Sequence, residues 1–434
     1  MPQTTYLPLR KVFAVGIGNA LDFYDFLTYS FFAVQIGHCF FPQGKNSHSL
    51  LLSLATFGVG YLTRPLGGIV LGLYADRAGR TKAMLLSFSM MGFGITALAL
   101  TPGYQQIGMA APILLVIFRL IQGFALGGQV GPSTAYLIEA APPLKRGLYV
   151  ALQYATQDFA VLCAGIIGFT LSALLSAAQL DAWGWRLAFL LGASIVPLGI
   201  YMRRRLPETL NVEEEATEPA PQAAPSKVPL KAAMFGIAMV GSGTIGSYVL
   251  DYMTTFAQDS VHLSANLAFG ATIILGGSSV VTDIIAGLLS DKFGRKPVML
   301  SAVSFAILLT VPAYYAMLHW PSAGMVYLAT AVLSILLALT SGPCLVSLSE
   351  LLPKTVRSTG LGTIYAISVA LLGGSTQFMI KFLSEITSNP MAPAWYLTGA
   401  LVVGATAMWR VRETAPAKTD WHCDLATEIL EVGS

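Results

Sequence analysis

The chain has 434 residues, of which 55% are hydrophobic and 11% are charged, and its mean hydropathy is +0.66. Soluble domains carry about 25% charged residues, so this composition excludes a soluble globular protein and indicates a membrane protein. The formal net charge of +3 gives no reason to expect a nucleic-acid partner.

Apolar runs of about 20 residues recur along the chain, and each is long enough to cross a bilayer core of about 30 Å as a helix. The short alternating segments that are typical of membrane β-barrels do not occur. The predicted fold class is therefore an all-α membrane protein. We predict twelve transmembrane helices, at approximately residues 12–36, 50–75, 83–101, 111–138, 148–178, 185–203, 231–257, 265–290, 298–318, 324–349, 358–386 and 394–410.

The basic residues predict how the chain crosses the membrane. Of 25 Lys and Arg residues, 20 lie at the termini or in alternate connections, and Lys and Arg collect in cytoplasmic loops. We therefore predict that both termini are cytoplasmic. The opposite side carries Lys45, Arg186 and Lys381, which leaves Arg64 and Arg119 as the basic residues within spans.

Three sequence echoes predict an internal duplication. The stretch GLYADRAGRTK at 72–82 returns as GLLSDKFGRKP at 287–297, and EAAPPLKRG from Glu139 returns as ELLPKTVRS from Glu350. A weaker echo relates Glu208 and Glu413, each followed by Thr. The echoes predict two six-helix bundles joined by a flexible linker rich in Glu, Pro and Ala. The predicted boundaries are 1–205 for the first bundle, 206–229 for the linker, 230–412 for the second bundle and 413–434 for a cytoplasmic tail.

The repeated loops place acids and bases in register at the predicted cytoplasmic side. Asp76 and Arg80 lie four residues apart, and so do Asp291 and Arg295, a spacing that allows ion pairing on a helix. We predict a gate that closes this side by ion pairs. Its members are Asp76, Arg80, Glu139, Arg146, Asp291, Arg295, Glu350 and Arg357. The alternative is that these arginines only follow the charge bias of cytoplasmic loops.

The chain carries no recognisable enzyme chemistry. Its four cysteines lack metal or redox spacing, and the phosphate loops and serine nucleophile elbows of known enzymes are absent. We therefore predict no catalytic residues, no metal site, no cofactor and no enzymatic activity.

Ionisable groups within membrane spans are functional candidates, because they are costly in lipid. Asp22, Asp25, Arg64 and Arg119 fall in the same middle layer, from a rise of about 1.5 Å per residue. Two helix faces add further polar residues that we predict to line a central cavity. The first carries Asn19, Asp22 and Phe26, and the second carries Gln153, Tyr154, Gln157 and Asp158.

Arginine stays charged and binds a carboxylate through two parallel hydrogen bonds, so Arg119 and Arg64 suit an anionic substrate. The alternative is that each neutralises a nearby Asp. In the second half, the polar residues within spans are Tyr248, Asp251, Tyr252 and Asp283. We predict that the two tyrosines offer hydroxyls to the substrate; the alternative is that their rings only pack against neighbouring side chains. We predict that Asp251 lies near the outer surface and is solvated.

Two parallel halves with a polar turn after the second helix of each resemble the major facilitator superfamily. The stretch RLIQGFALGG at 119–128 resembles its helix 4 motif. More narrowly, GNALDFYDF at 18–26, RPLGG at 64–68, APILLVIFRLIQG at 111–123 and WGWRLAF at 183–189 resemble the metabolite:proton symporters. The resemblance implies a transporter of the bacterial inner membrane that is driven by the proton gradient. Its expected partners are a small solute, protons and the lipid bilayer, and we expect a monomer.

The resemblance implies import of an organic acid or an osmolyte. We predict a proton symporter for a small organic anion, a di- or tricarboxylate such as citrate. The principal alternative is a symporter for proline or betaine, whose ammonium would suit the aromatic residues Phe23 and Tyr24. A drug antiporter and a non-transporting sensor are further alternatives, although the helix 5 stretch 155–165 lacks the Gly-Pro motif expected of an exporter.

Several symporters of this group have Glu where this chain has Gln129. The predicted proton-coupling acids are therefore Asp22, Asp25 and Asp158, and we favour Asp25 because it matches the Tyr-Asp-Phe stretch of the group.

Overall fold

The computed structural model describes residues 20, 23–24, 27–42, 48–78, 80–127, 141–193, 230–352, 357–416 and 418. The predicted linker at 206–229 lies outside this part of the chain. The described residues fold into helices that run through two halves, one before and one after that linker.

The described part of the first half is built from long and short helices. The long apolar runs form helices because backbone groups in a bilayer must be hydrogen-bonded within the segment. The helices are α1 (Ala33–Phe40), α2 (Ser49–Leu62), α3 (Arg64–Ala78), α4 (Arg80–Leu100), α5 (Ala110–Gly127) and α6 (Arg146–Leu174). Short helices lie between the longer ones at Tyr104–Ile107 and Pro143–Lys145, and after α6 at Ala177–Gln179 and Leu180–Gly184. Residues 185–193 are also helical.

The second half is built in the same way. Its helices are α7 (Leu230–Asp251), α8 (Met253–Asp259), α9 (Ala265–Phe293), α10 (Arg295–His319), α11 (Ala323–Leu351), α12 (Arg357–Ser368), α13 (Gly374–Thr387) and α14 (Ala392–Arg410), with a π-helical segment at Val369–Gly373. Gly294 separates α9 from α10 with a φ of 107°, which a residue with a side chain rarely adopts.

Each of the twelve predicted spans overlaps described helical residues. Eight helical segments of the described chain are long and apolar enough to cross a membrane, and a shorter apolar segment lies at Ser89–Leu100. Predicted spans are interrupted at Phe32 in the first, Thr63 in the second and Tyr252 in the seventh. The hydroxyl of Thr63 donates 2.7 Å to the carbonyl of Leu120, which satisfies a backbone group of α5 inside the membrane.

Glycines let helices of the first half approach until their backbones touch. A side chain at Gly123 of α5 would collide with the carbonyl oxygen of Gly60, and one at Gly127 with that of Arg64. Small residues at such crossings allow the van der Waals packing that holds membrane helices together. The segment α2–α3, which carries Arg64, is therefore fixed against the helix that carries Arg119.

The two halves meet chiefly along α6 and α9. A side chain at Gly276 of α9 would meet the backbone of Leu162 on α6, and one at Gly165 would lie 2.9 Å from the amide nitrogen of Ile273. On the other side of the interface, Gly58 of α2 lies against the carbonyl of Gly374. These contacts leave space between the halves near the middle of the helices.

Candidate functional site

A central cavity of about 110 Å³ lies between the halves. Helix α6 contributes from the first half, and α7, α9, α11 and α12 contribute from the second. The described polar residues that line it are Tyr154, Gln157, Asp158, Thr244, Ser247, Tyr248, Asp251, Ser279, Asp283, Ser334, Ser341 and Tyr365.

Three aspartates meet in this cavity. The side chain of Asp158 faces those of Asp283 and Ser279, on the opposite half of the protein. Asp251 is 7% exposed and interacts electrostatically with Asp158. The prediction that Asp251 is solvated near the outer surface is therefore wrong, because the helix face that carries Tyr248 and Asp251 is buried at the cavity wall.

Arg64 lies behind the cavity wall. Its guanidinium carbon is 4.0 Å from the centre of the Tyr61 ring, an arrangement suited to a cation–π interaction. It also interacts with Tyr248, which does line the cavity. In this conformation Arg64 therefore contacts a residue of the cavity wall and does not itself line the cavity.

Arg119 is fully buried inside the first half and does not line the cavity. Its Nη1 donates 2.8 Å to Oε1 of Gln122, and its guanidinium carbon lies 4.5 Å from the centre of the Tyr29 ring. A buried guanidinium among aromatic rings keeps its charge and its planar donors. In this conformation the protein, rather than the cavity, surrounds those donors.

The remaining predicted substrate contacts divide into two groups. Gln157 and Tyr248 line the cavity, whereas Tyr24, Gln153 and Tyr252 do not. Tyr24 donates 3.0 Å to the carbonyl of Ala188, so its hydroxyl is used within the first half, and Tyr252 interacts with Tyr314 and with acids at the outer end of its bundle. Phe23, the neighbour of Tyr24, lines the cavity instead.

Several predicted site residues lie outside the described part of the chain. They are Asn19, Asp22, Asp25 and Glu139. The side chains of Asp76, Arg80 and Arg357 also lie outside the described part, although their backbones are helical. Their predicted roles in substrate binding, proton coupling and gating stay predictions.

The described members of the predicted gate join the two halves on the basic side of the protein. Asp291 accepts hydrogen bonds from the backbone amides of Gly147 (2.9 Å) and Leu148 (3.0 Å), at the first turn of α6. Arg295 lies 2.5 Å from Asp291 and 3.5 Å from Glu350. Arg146 of the other half lies 3.7 Å from the same Glu350. A carboxylate at a helix N-terminus also meets favourable dipole charge.

A second carboxylate supports this gate from within the second half. Glu413 accepts backbone hydrogen bonds from Arg295 (2.9 Å) and Lys296 (3.0 Å), at the start of α10. Burial acts to raise the pKa of Glu413, but hydrogen bonds from Ala415, Arg295, Lys296 and Thr414 outweigh burial and hold that pKa below its ordinary value. Glu413 therefore stays charged at neutral pH and anchors the helix that begins with Arg295.

Polar contacts also join the halves on the opposite side. Nδ1 of His48 lies 3.0 Å from a carboxylate oxygen of Glu385, and Gln35 donates 3.3 Å to Gln258. Gln377 donates 2.5 Å to the hydroxyl of Ser30. Contacts between the halves therefore lie on both sides of the cavity.

Comparison with known proteins identifies the family. The family model described as Major Facilitator Superfamily matches residues 23–377. The chain belongs to the major facilitator superfamily. Major facilitator proteins are also its neighbours among solved structures: the crystal structure of a D-xylose-proton symporter aligns with a TM-score of 0.76 at 19% identity, over 94% of this chain and 98% of that one. At that identity the likeness shows the fold, with its twelve helices in two bundles.

Curated relatives within the superfamily are similar over nearly the full chain. The citrate-proton symporter of Klebsiella pneumoniae is 34% identical over 406 residues, which cover 92% of this chain and 90% of the relative. The alpha-ketoglutarate permease of Escherichia coli K12 is 33% identical over 91% of this chain and 92% of its own length. The proline/betaine transporter of the same strain is 29% identical over 98% and 87%. The predicted resemblance to metabolite:proton symporters is confirmed.

Sequence reasoning missed the convergence of the acids. Ser279 and Asp283 are four residues apart on α9 and so share a helix face, and that spacing was the available signal. It could not show that Asp158, 125 positions earlier in the chain, faces them. Tyr365 was also missed, although it aligns with Tyr154 when the halves are superposed by their loop echoes.

Proposed function

We propose that this protein is a secondary active transporter, not an enzyme, that moves a small organic anion together with protons across the bacterial inner membrane. The substrate class is a di- or tricarboxylate such as citrate. The driving force is the proton gradient, no cofactor takes part, and the protein works as a monomer with both termini in the cytoplasm.

The observation that carries this proposal is a central cavity between the two halves, lined by ionisable residues from both. The similarity to a citrate-proton symporter and an alpha-ketoglutarate permease over more than nine-tenths of the chain supports the substrate class. Such a cavity suits alternating access, in which the halves rock about a central site. The ion pairs around Asp291 hold the basic side closed, and their separation opens it.

The solute must bind with different affinities to the states of the transporter, because a ligand shifts a conformational equilibrium only by its differential affinity. A carboxylate close to Tyr248 would draw on Arg64, which interacts with that tyrosine from behind. Gln157 on α6 and Ser247 on α7 offer hydrogen bonds from opposite halves of the same cavity. A solute held by both halves favours the occluded state.

A second candidate follows from the charge of the cavity wall. Three aspartates line it, and none of its described lining residues is Lys or Arg. Such a wall also suits the ammonium of a zwitterion, and the proline/betaine transporter of E. coli is a relative. A symporter for a zwitterionic osmolyte is therefore the alternative to a carboxylate carrier.

Counterflow in proteoliposomes distinguishes the candidates. Vesicles are loaded with unlabelled citrate, alpha-ketoglutarate or glycine betaine and diluted into traces of the labelled solute. We expect transient uptake of a labelled carboxylate and none of betaine. Betaine uptake alone would replace the carboxylate proposal with the osmolyte candidate, and silence with every solute would contradict transport.

A further inference from the structure

The acids of the cavity lie at the closest interface between the halves. Helices α6 and α9 run antiparallel, and glycines bring them together on both sides of Asp158. A side chain at Gly287 would lie 2.9 Å from the carbonyl oxygen of Gly147, and one at Gly276 would collide with Leu162. The carboxyls of Asp158 and Asp283 are thus held opposite each other by packing on either side.

The electrostatic partners of this pair are also acids. The carboxyl of Asp158 interacts electrostatically with the carboxyls of Asp283 and Asp251. Oδ2 of Asp283 is buried and has no hydrogen-bond partner among the described residues. Two neighbouring carboxylates in a buried site cannot both hold a charge without a large cost, whereas one shared proton turns the repulsion into a hydrogen bond.

Among the described residues, the titratable and polar groups near the pair come from five helices. None of them is Lys or Arg. They are Tyr154 on α6, Asp251 on α7, Ser279 on α9, Cys344 on α11 and Tyr365 on α12. The hydroxyls and the thiol are neutral at physiological pH, so none of these groups neutralises the pair; the guanidinium of Arg64 lies behind Tyr248 and acts on Tyr365.

The pair is not part of the duplicated framework. Gly287 follows Gly72 by 215 positions, which aligns Asp283 with Gly68. Glu350 follows Glu139 by 211 positions, which aligns Asp158 with Val369 and Tyr154 with Tyr365. The two tyrosines therefore occupy equivalent positions in the two halves. The positions equivalent to the two acids carry Gly68 and Val369, so the fold itself does not require acids there.

We propose that the coupled proton is held between Asp158 and Asp283, across the interface of the two halves. The inference rests on the proposed proton-coupled transport and deepens it. The proton enters from the outer water and is released to the cytoplasm when the halves part on that side. An anion that enters a cavity lined by acids is stabilised when this proton accompanies it, so the solute and the proton cross together.

The test compares exchange with accumulation in proteoliposomes, using Asp158→Asn, Asp283→Asn and the double variant. An amide keeps the hydrogen bond of the protonated pair but releases no proton. Wild-type protein with citrate should reach about 100-fold accumulation per coupled proton when the outside is two pH units more acidic, because each tenfold ratio matches one pH unit. The variants should keep counterflow within a few-fold of wild type and lose this accumulation.

Two further variants set the comparison. Asp181→Asn makes the same chemical change outside the cavity, at a pair with His38, and should keep both activities when the assay runs well below its melting temperature. Asp25→Asn is the competing assignment. If it abolishes accumulation while the Asp158 and Asp283 variants retain theirs, the pair is not the proton site. If the double variant loses more protons per solute than either single variant, the two acids bind protons independently. That result would also overturn the proposal that they share one proton.

Failure of the transport proposal gives a different result. In that case wild-type vesicles show no counterflow of citrate, alpha-ketoglutarate or betaine. If the asparagine variants fail even in counterflow, the wild-type protein still provides a test. Citrate added to the purified, weakly buffered transporter, at a pH high enough for the free pair to have lost its proton, should cause uptake of about one proton per molecule, and no uptake at any pH would overturn the inference.

Discussion

The carboxylate of Asp291, in the second half of the chain, accepts a hydrogen bond from the backbone amide of Gly147, in the first half, at 2.9 Å. The same carboxylate lies 2.5 Å from the buried guanidinium of Arg295. One side chain thus ties the start of α6 to the ion pairs of the opposite bundle. Opening of this side requires that this carboxylate part from α6.

Asp291→Asn should slow transport without changing the site. Removal of one partner from a buried ion pair costs about 3–5 kcal/mol, so we expect the maximal rate to fall at least about tenfold. The affinity for the solute should stay within a few-fold, because Asp291 does not line the cavity. Initial rates against solute concentration in proteoliposomes give both quantities.

Asp76→Asn is the matched change in the sequence repeat, and we expect the same pattern. Asp181→Asn, on the opposite side, is the control for the chemical change. A large loss of affinity at a normal rate of exchange would contradict the gate.

Arg64 should act on the solute through Tyr248. Arg64→Lys keeps the charge but loses the planar group that lies over Tyr61 and meets Tyr248. We expect the apparent affinity for a carboxylate to fall by about tenfold, corresponding to about 1.4 kcal/mol. Tyr248→Phe should reduce the affinity in the same direction, and the two changes together should cost less than the sum of each, because both disrupt one contact. If the losses of affinity in the two single variants add fully in the double variant, Arg64 and Tyr248 act on the solute independently.

Arg119 provides a separate test of charge selection. We predict that Arg119→Lys weakens carboxylate binding, because an ammonium cannot reproduce the two parallel hydrogen bonds of a guanidinium. Since Arg119 is enclosed by Gln122 and Tyr29 in this conformation, binding must be measured together with the melting temperature. A variant that melts lower but binds and transports like wild type would limit Arg119 to a structural role.

His38 and Asp181 form a pH-dependent contact at the outer surface. The hydrogen bond to Asp181 raises the pKa of His38 above its ordinary value, although partial burial acts to lower it. The stabilisation is therefore fully present below the unfolded-state pKa of about 6.5 and is lost as pH rises through the raised value. We expect Asp181→Asn to lower the melting temperature at pH 6 and to have no effect at pH 9. An equal effect at both pH values would contradict the pairing.

Composition and repeats were sufficient to predict the fold. Each span is long and apolar, and the loop echoes at Asp76 and Asp291 place the two bundles in order. Contacts within one loop, such as Asp291 with Arg295, follow from spacing of four residues. These features are local in sequence, so a sequence pattern can show them.

The site depended on contacts between the halves, which no local pattern shows. Asp158 and Asp283 converge because glycines such as Gly276 allow α6 and α9 to touch. The burial of Asp251 was not predicted because hydropathy does not reveal which helix face turns toward the opposite half. The direction of a side chain such as Tyr24 depends on which neighbouring carbonyl it can reach.

Proton-driven uptake by the wild-type protein tests the central claim most directly. Proteoliposomes at internal pH 7.5 are diluted into labelled citrate at pH 5.5, with and without a protonophore. We predict accumulation well above the external concentration, abolished by the protonophore and accompanied by acidification of the lumen. Uptake that only reaches the external concentration, with no change of internal pH, would contradict proton-coupled transport.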